Sequence, residues 1–197
     1  MDKGYESTEL CAACGGACCK ANGCSLAPED MLRELEIWRA GMEPGREEDT
    51  KNPGTVDMGK LEAWLLESDC AVDSFTGQEG LCYYIRMRHK CFTFIGVDAM
   101  GECVALTDRG CSLPYERRPK GGRCLEGRQD RHCRQHYTQE QMEADWRPYQ
   151  RQLREIWDRW HDRLKEEGVF DRCEEDYMRY QRVKRQGAGG ITGERKR

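Results

Sequence analysis

The stretch CAACGGACCKANGC, residues 11 to 24, sets Cys11, Cys14, Cys18, Cys19 and Cys24 in one short loop with the spacing C-x2-C-x3-C-C-x4-C. A C-x2-C turn lets two thiolates reach one metal ion, or one edge of a cluster, while backbone N–H groups point at the sulfurs; zinc sites and iron–sulfur clusters both use it. Gly15 and Gly16 suit that task, because without a Cβ they let the chain wrap closely and take positive φ. Adjacent Cys18 and Cys19 imply two directions of ligation, or one ligand and one supporting thiol. A second set, Cys103, Cys111, Cys124 and Cys133, is spaced more widely. Together the two sets hold enough sulfur for two four-thiolate sites with one thiol to spare, or for one site with the remainder supporting it or open to catalysis.

Thirteen cysteines in 197 residues would be disulfides in a small secreted scaffold. Several features point elsewhere. The total is odd, a bond between the neighbours Cys18 and Cys19 would strain the backbone, and MDKGYESTEL lacks the basic region and apolar run of a secretory signal. The expectation is a cytoplasmic protein whose thiols stay reduced and bind metal. With 38% hydrophobic against 35% charged residues and a mean hydropathy of −0.92, the apolar core is thin, so another tie must help fix the long loops. No apolar stretch approaches the ~20 residues of a membrane span. A net charge of −4 argues against nucleic acid as the main partner, although Arg182, Lys184, Arg185, Arg195, Lys196 and Arg197 leave a basic end that reads as a solvated tail.

These thiols need elements to position them. Pro28, followed by Glu29 and Asp30, opens a helix whose Met31, Leu32, Leu35 and Trp38 recur at helical spacing, ending near Gly41. Leu61, Trp64, Leu65 and Cys70 predict a second helix over about 58–69. The run LCYYIRMRHKCFTFIGVDAMGECVAL alternates Tyr84, Arg86 and Arg88 with Tyr83, Ile85 and Met87, predicting two or three short strands in a hairpin-based sheet. Residues 107–133 read as a long irregular loop, which needs a function or a staple. Thr138 and Gln141 form a capping box, and Met142, Trp146, Tyr149, Leu153, Ile156, Trp157, Trp160 and Leu164 make an apolar stripe, interrupted at Pro148. That stripe reads as packing onto the cysteine-bearing body, with a partner-binding face for a protein or redox partner as the sharper alternative. A last helical piece covers about 171–183. The fold expected is α+β and predominantly helical: an irregular cysteine-rich core with a small β-hairpin over 1–137, a helical extension over 138–186 and a flexible basic tail over 187–197.

CAACGGACC followed by GCSLAPEDM, and later GECVALTDRGCSLPYERRP, resemble the YkgJ-type cysteine-cluster proteins, described as a zinc- or iron-chelating domain. The resemblance spans roughly residues 11 to 133, and stretch 41–80 adds little to it. It implies that Cys11, Cys14, Cys18, Cys19, Cys103 and Cys111 surround a metal centre joining the two ends of the domain, and that Arg118 donates to cluster sulfur or to a neighbouring carboxylate. The order RPKGGRC departs from the usual pattern, so Cys133 competes with Cys124 for a ligand position. Cys70, Cys82, Cys91 and Cys173 match no part of the motif and read as small buried hydrophobes.

The residues leave the metal open. Zinc would favour a closed tetrahedral site, to which His132, Cys133 and His136 are near enough to contribute. A dispersed thiolate set suits a cubane, which takes ligands from distant segments, and the similar cysteine run of an iron–sulfur flagellin lysine methylase turns the expectation toward one [4Fe–4S] cluster, or two. Three functions follow: an iron–sulfur protein that passes electrons or supports a partner enzyme, a zinc-stabilised binding module, and an enzyme such as a transferase with Arg86, Arg88 and Asp98 in its cleft. No phosphate-binding glycine loop, G-x-S-x-G or H-E-x-x-H occurs.

Overall fold

The structure is a computed structural model that describes residues 10, 13, 15, 16, 19, 24–42, 56–90, 94, 95, 101–129 and 133–188. Cys11, Cys14, Cys18, Cys91, Asp98 and His132 lie outside this set, so the expectations placed on them do too. Helix α1 (Pro28–Met42) begins with proline at its first position, and Asp30 reaches back to accept from the Ala27 N–H at 3.1 Å, one half of a capping box. Helix α2 (Met58–Glu67) is capped by the Asp57 carboxylate, which accepts from the Lys60 N–H at 2.9 Å. Leu61, Trp64 and Leu65 form its buried face, and the Trp38 indole of α1 donates to Glu67 at 2.8 Å.

Strands β1 (Cys70–Thr76) and β2 (Leu81–Met87) form an antiparallel hairpin with register Cys70↔Met87 through Thr76↔Leu81. This corrects the expectation that the strands of the sheet lie within residues 81–106. The partner of β2 lies upstream of it, because the Ser68 N–H ends α2 on the Trp64 carbonyl and frees Cys70 for a strand instead of a helical stripe. Gly80, at φ 118°, closes the turn. Both edges of the hairpin are occupied. Leu26 and Met87 exchange backbone bonds with Ile85 and Cys24 along β2, while the Val72 N–H donates to the Phe94 carbonyl at 2.7 Å on β1.

The stretch expected to be irregular contains two very short hairpins, β3 (Leu106–Thr107) with β4 (Gly110–Cys111) and β5 (Leu125–Glu126) with β6 (Arg134–Gln135). Between them lie a 3₁₀ turn (Tyr115–Arg117) and the one-turn helix α3 (Lys120–Arg123). Elements of two to four residues leave no periodicity to detect.

Thr138 and Gln141 make the capping box of α4 (Gln139–Trp146). Pro148 sits in a 3₁₀ turn (Arg147–Tyr149) that leads into α5 (Gln150–Glu166), and Gly168, at φ 65°, separates α5 from α6 (Val169–Ala188). Helices α4 and α5 pack on the hairpin. The buried Trp146 indole donates to the Leu26 carbonyl at 3.0 Å, Trp157 lies 5.7 Å from the Tyr83 ring, and Trp160 meets Phe94 edge-on at 5.3 Å. All three tryptophans of the stripe are thus engaged within the chain. The Gln150 amide supplies a further tie, accepting from the Tyr83 N–H at 2.8 Å and donating to its carbonyl at 2.7 Å, which closes the β2 edge beyond Ile85. One apolar cluster runs from Leu26, Met31 and Leu61 through Val72 and Ile85 to Trp146, Leu153 and Ile156. The architecture is α+β, with small antiparallel hairpins and long C-terminal helices. Among the described residues, no helix is long and apolar enough to cross a membrane.

Candidate functional site

Residues 24–26 are held extended against β2, the Cys24 carbonyl accepting from the Met87 N–H at 2.8 Å. Beyond β2, the chain of 88–90 bonds to residues 102–104: Lys90 N–H to the Glu102 carbonyl and Val104 N–H to the Arg88 carbonyl, both at 2.9 Å. The Cys103 N–H then donates to the Cys19 carbonyl at 2.8 Å. The hairpin is therefore the spine on which both cysteine-bearing segments are mounted.

Gly16, at φ 71°, lies so close to Leu106 that a Cβ there would fall 2.6 Å from its side chain. Gly15, at φ 62°, and Gly16 take the positive φ expected of them. Cys103 is 2% exposed. Burial raises its thiol pKa, while backbone N–H groups of Ala105 and Cys24 bond to the sulfur and favour the thiolate; Cys111 opposes that charge and Arg86 supports it. Cys24, Cys103 and Cys111 thus share one neighbourhood, with Cys19 tied to it through the backbone.

A second clasp flanks the first. Asp30, 1% exposed, accepts from the Lys120 N–H at 2.6 Å and from Arg123 Nη1 at 2.9 Å, and also pairs with Arg33 at 3.3 Å. The Gly121 N–H donates to the Ser25 carbonyl at 2.9 Å, and a Cβ on Gly121 would lie 2.8 Å from that oxygen. On Gly122 a Cβ would sit 3.2 Å from the Cys24 sulfur. The pair in RPKGGRC accordingly lets α3 dock on the cysteine loop. Cys124, buried, ends α3, and its carbonyl accepts from the His136 N–H at 2.9 Å; Cys133 precedes β6 and is half-buried. His136 bonds through Nε2 to Glu126 at 2.7 Å. Arg118 Nε donates to the Leu113 carbonyl at 3.0 Å, a bond that stabilises its own turn.

Sequence reasoning missed several residues. Asp30 reads as a helix-dipole acid, yet it is buried beneath α3. Arg86 and Arg88 were candidates for a cleft, but Arg86 is 2% exposed and Arg88 donates to the carbonyls of Leu65 and Cys70. Glu102 is buried, with Lys90 Nζ at 3.3 Å and the Tyr180 hydroxyl of α6 at 2.9 Å. These groups, with Gly15, Leu106, Thr107 and Asp108, line a cavity of about 320 Å³ beside the glycine loop. Cys70 is buried in the apolar core as expected, Cys82 is buried with its sulfur accepting from the Gln150 amide at 3.6 Å, and Cys173 is only half-buried; burial pushes the thiols of Cys70 and Cys82 up to about 12 and about 11.

Cys19, Cys24, Cys103 and Cys111 carry soft sulfur donors of the kind that thiophilic metals take. Among the described residues no three Cys, His, Asp or Glu side chains form a group able to hold a metal ion. The remaining candidate ligands of the first loop, Cys11, Cys14 and Cys18, lie outside those residues. None of the nine described cysteines forms a disulfide. Compared with protein-family models, curated proteins and solved structures, the chain matches none of them.

Proposed function

We propose that this chain is a metal-binding cysteine-cluster protein of the YkgJ type, working in a reducing compartment such as the cytoplasm and carrying a thiolate-ligated [4Fe–4S] centre. The centre would serve electron transfer or support a partner enzyme. The supporting observation is the junction itself: two cysteine segments far apart in sequence meet at Cys103, whose N–H binds the Cys19 carbonyl and whose sulfur receives the Cys24 N–H. Cys19, Cys24, Cys103 and Cys111 would supply thiolates together with Cys11, Cys14 and Cys18, and an iron–sulfur group bound there would supply one-electron chemistry.

Two other readings draw on separate observations. A zinc-stabilised binding module agrees with the clasp of Asp30, Lys120 and Arg123, which already closes the domain. An enzyme agrees with the cavity roofed by Tyr180, where Glu102 and Lys90 face the glycine loop.

Anaerobic purification with iron, sulfide and zinc quantified in one sample separates these readings. A brown protein with matched iron and sulfide is the expected result. A colourless protein with stoichiometric zinc that unfolds on chelation would replace the cluster with a structural ion. Cys14→Ser, Cys18→Ser and Cys103→Ser should each lower metal content and stability together, whereas Cys70→Ser should leave metal content at the wild-type level. A folded, metal-free chain would end the proposal.

A further inference from the structure

Helices α5 and α6 are attached to the body in different ways. Gln152, Leu153, Ile156 and Leu164 bury one face of α5 along most of its length. Helix α6 buries Phe170 at its start, tilted against the His161 ring at 5.5 Å. From Asp171 through Val183 its side chains are half-buried or exposed, Met178 at 48% and Val183 at 63%. Apolar burial is what fixes a helix in place, so a helix with so little of it opens locally at a fraction of the cost of unfolding the domain. The junction with α5 suits such a motion. Gly168, at φ 65°, carries the bend, and Arg172 Nη1 donates back to the Glu167 carbonyl at 2.7 Å, which keeps the pivot at this point.

The far part of α6 is held down by polar contacts. The Tyr180 hydroxyl donates to Glu102 at 2.9 Å, and Lys90 Nζ lies 3.3 Å from the same carboxylate oxygen and 5.5 Å from the centre of the Tyr180 ring. Glu102 is 2% exposed, at the wall of the cavity of about 320 Å³ that Tyr180 closes from the side of α6. A carboxylate there needs donors in either state: the hydroxyl and the ammonium when α6 is down, water and the ammonium when it is up. Releasing this bond exchanges one donor for another, so its net cost is modest.

We propose that α6 is a hinged strap: it pivots at Gly168, the Tyr180 hydroxyl latches it over the cavity, and its opening exposes the Glu102–Lys90 pair beside the glycine loop to solvent. The strap does not depend on the metal-binding function proposed above.

Hydrogen exchange of the full chain, followed by mass spectrometry through a series of sub-denaturing urea concentrations, tests the hinge. Acetylation of Lys90 by an N-hydroxysuccinimide acetate tests the latch. In the wild-type chain, amides over 171–183 are expected to exchange by local opening with slight dependence on urea, and those over 152–164 with the steep dependence of global unfolding. Tyr180→Phe keeps the ring and removes the latch. It is expected to speed both exchange over 171–183 and acetylation of Lys90 by about 10-fold or more. Amides over 152–164 should stay at wild-type rates, which also shows that the variant is folded, and so should acetylation of Lys120, clasped by Asp145 and Glu29. Urea dependence over 171–183 as steep as over 152–164, or wild-type amides over 171–183 with no protection at all, would overturn the hinge. Wild-type rates at 171–183 or at Lys90 in Tyr180→Phe, or an equal acceleration over 152–164, would overturn the latch. Each of these results leaves the metal-binding function standing.

Discussion

The hairpin and the cysteine junction sit on the same strand and are held by different forces. Around β1 and β2, Val72, Ile85, Trp146, Leu153 and Ile156 are fully buried, and aromatic pairs such as Tyr83 with Trp157 join strand to helix. Around Cys103 the apolar contribution shrinks to Ala105, Leu106 and the thiols, and the segments meet through backbone bonds and the Asp30 clasp. The first region has enough carbon to fold by exclusion of water. In the second, the directed polar contacts specify geometry without supplying comparable burial, so it is the region that would gain most from the metal centre proposed above.

The comparison breaks most directly at Trp146. Trp146→Ala should cost about 3–5 kcal/mol, because it empties a fully buried site and leaves the Leu26 carbonyl without its donor. Urea denaturation of the full chain measures this. A loss below about 1 kcal/mol would mean that the hairpin does not depend on its helical cover. Trp146→Phe keeps most of the carbon and should lose much less.

On the other side, Asp30→Asn should cost about 1.5–3 kcal/mol, since hydrogen bonds from Arg123 and Arg33 then reach a neutral acceptor. The same variant should release metal at a lower chelator concentration, because α3 is clasped to residues 24–25 through this carboxylate. Trp146→Phe should show no such metal effect relative to its stability loss. If both variants lose metal in proportion to stability, the two regions form one cooperative unit, and the distinction between them fails.

Gln150→Ala tests the hairpin at its edge. It strips the Tyr83 N–H and carbonyl of their partners and should cost about 1–2 kcal/mol, with metal content unchanged. Water can reach part of this edge, which is why the effect is smaller than at Trp146.

The difference between the regions also explains what could be read from sequence. The apolar steps from Met142 to Leu164, the Thr138 and Gln141 box and the Pro28 start all encode local structure, so α1, α4 and α5 were legible nearly to the residue. The fold class followed from them. Strand β1 escaped because Cys70 also fits the helical spacing of Leu61, Trp64 and Leu65, and only the cap at Ser68 settles the competition. At the junction the thiols announce themselves by type, but nothing local says that Asp30 is buried by α3, or that Gly121 and Gly122 are the surface on which α3 approaches. Those are contacts between segments about ninety residues apart, and periodicity carries no information about them. Arg86 illustrates the limit: alternation put it on a strand, and only the packed ladder makes it a buried cation.

The last comparison, nearly silent at neutral pH and growing only on the alkaline side, separates the two kinds of cysteine by pH. Burial raises the Cys70 thiol to about 12 from its ordinary value of 9.0, so the folded state retains a proton that the unfolded chain loses first as pH rises. Between those values the unfolded state binds fewer protons, and stability falls with a slope of up to about 1.4 kcal/mol per pH unit for this one group. The stabilisation is fully present below pH 9.0 and is lost as pH climbs toward 12. Cys70→Ala should therefore flatten the alkaline limb of a stability profile while leaving neutral pH nearly level with wild type, apart from the small volume change. A metal-bound thiolate behaves in the opposite sense, since protons compete with the metal and binding weakens as pH falls. Cys103→Ser should accordingly alter the acid side of the metal-loaded profile and leave the alkaline slope from Cys70 in place. An unchanged alkaline limb in Cys70→Ala, or an acid limb indifferent to Cys103→Ser, would mean that the buried thiols of the hairpin and those of the junction are not chemically distinct.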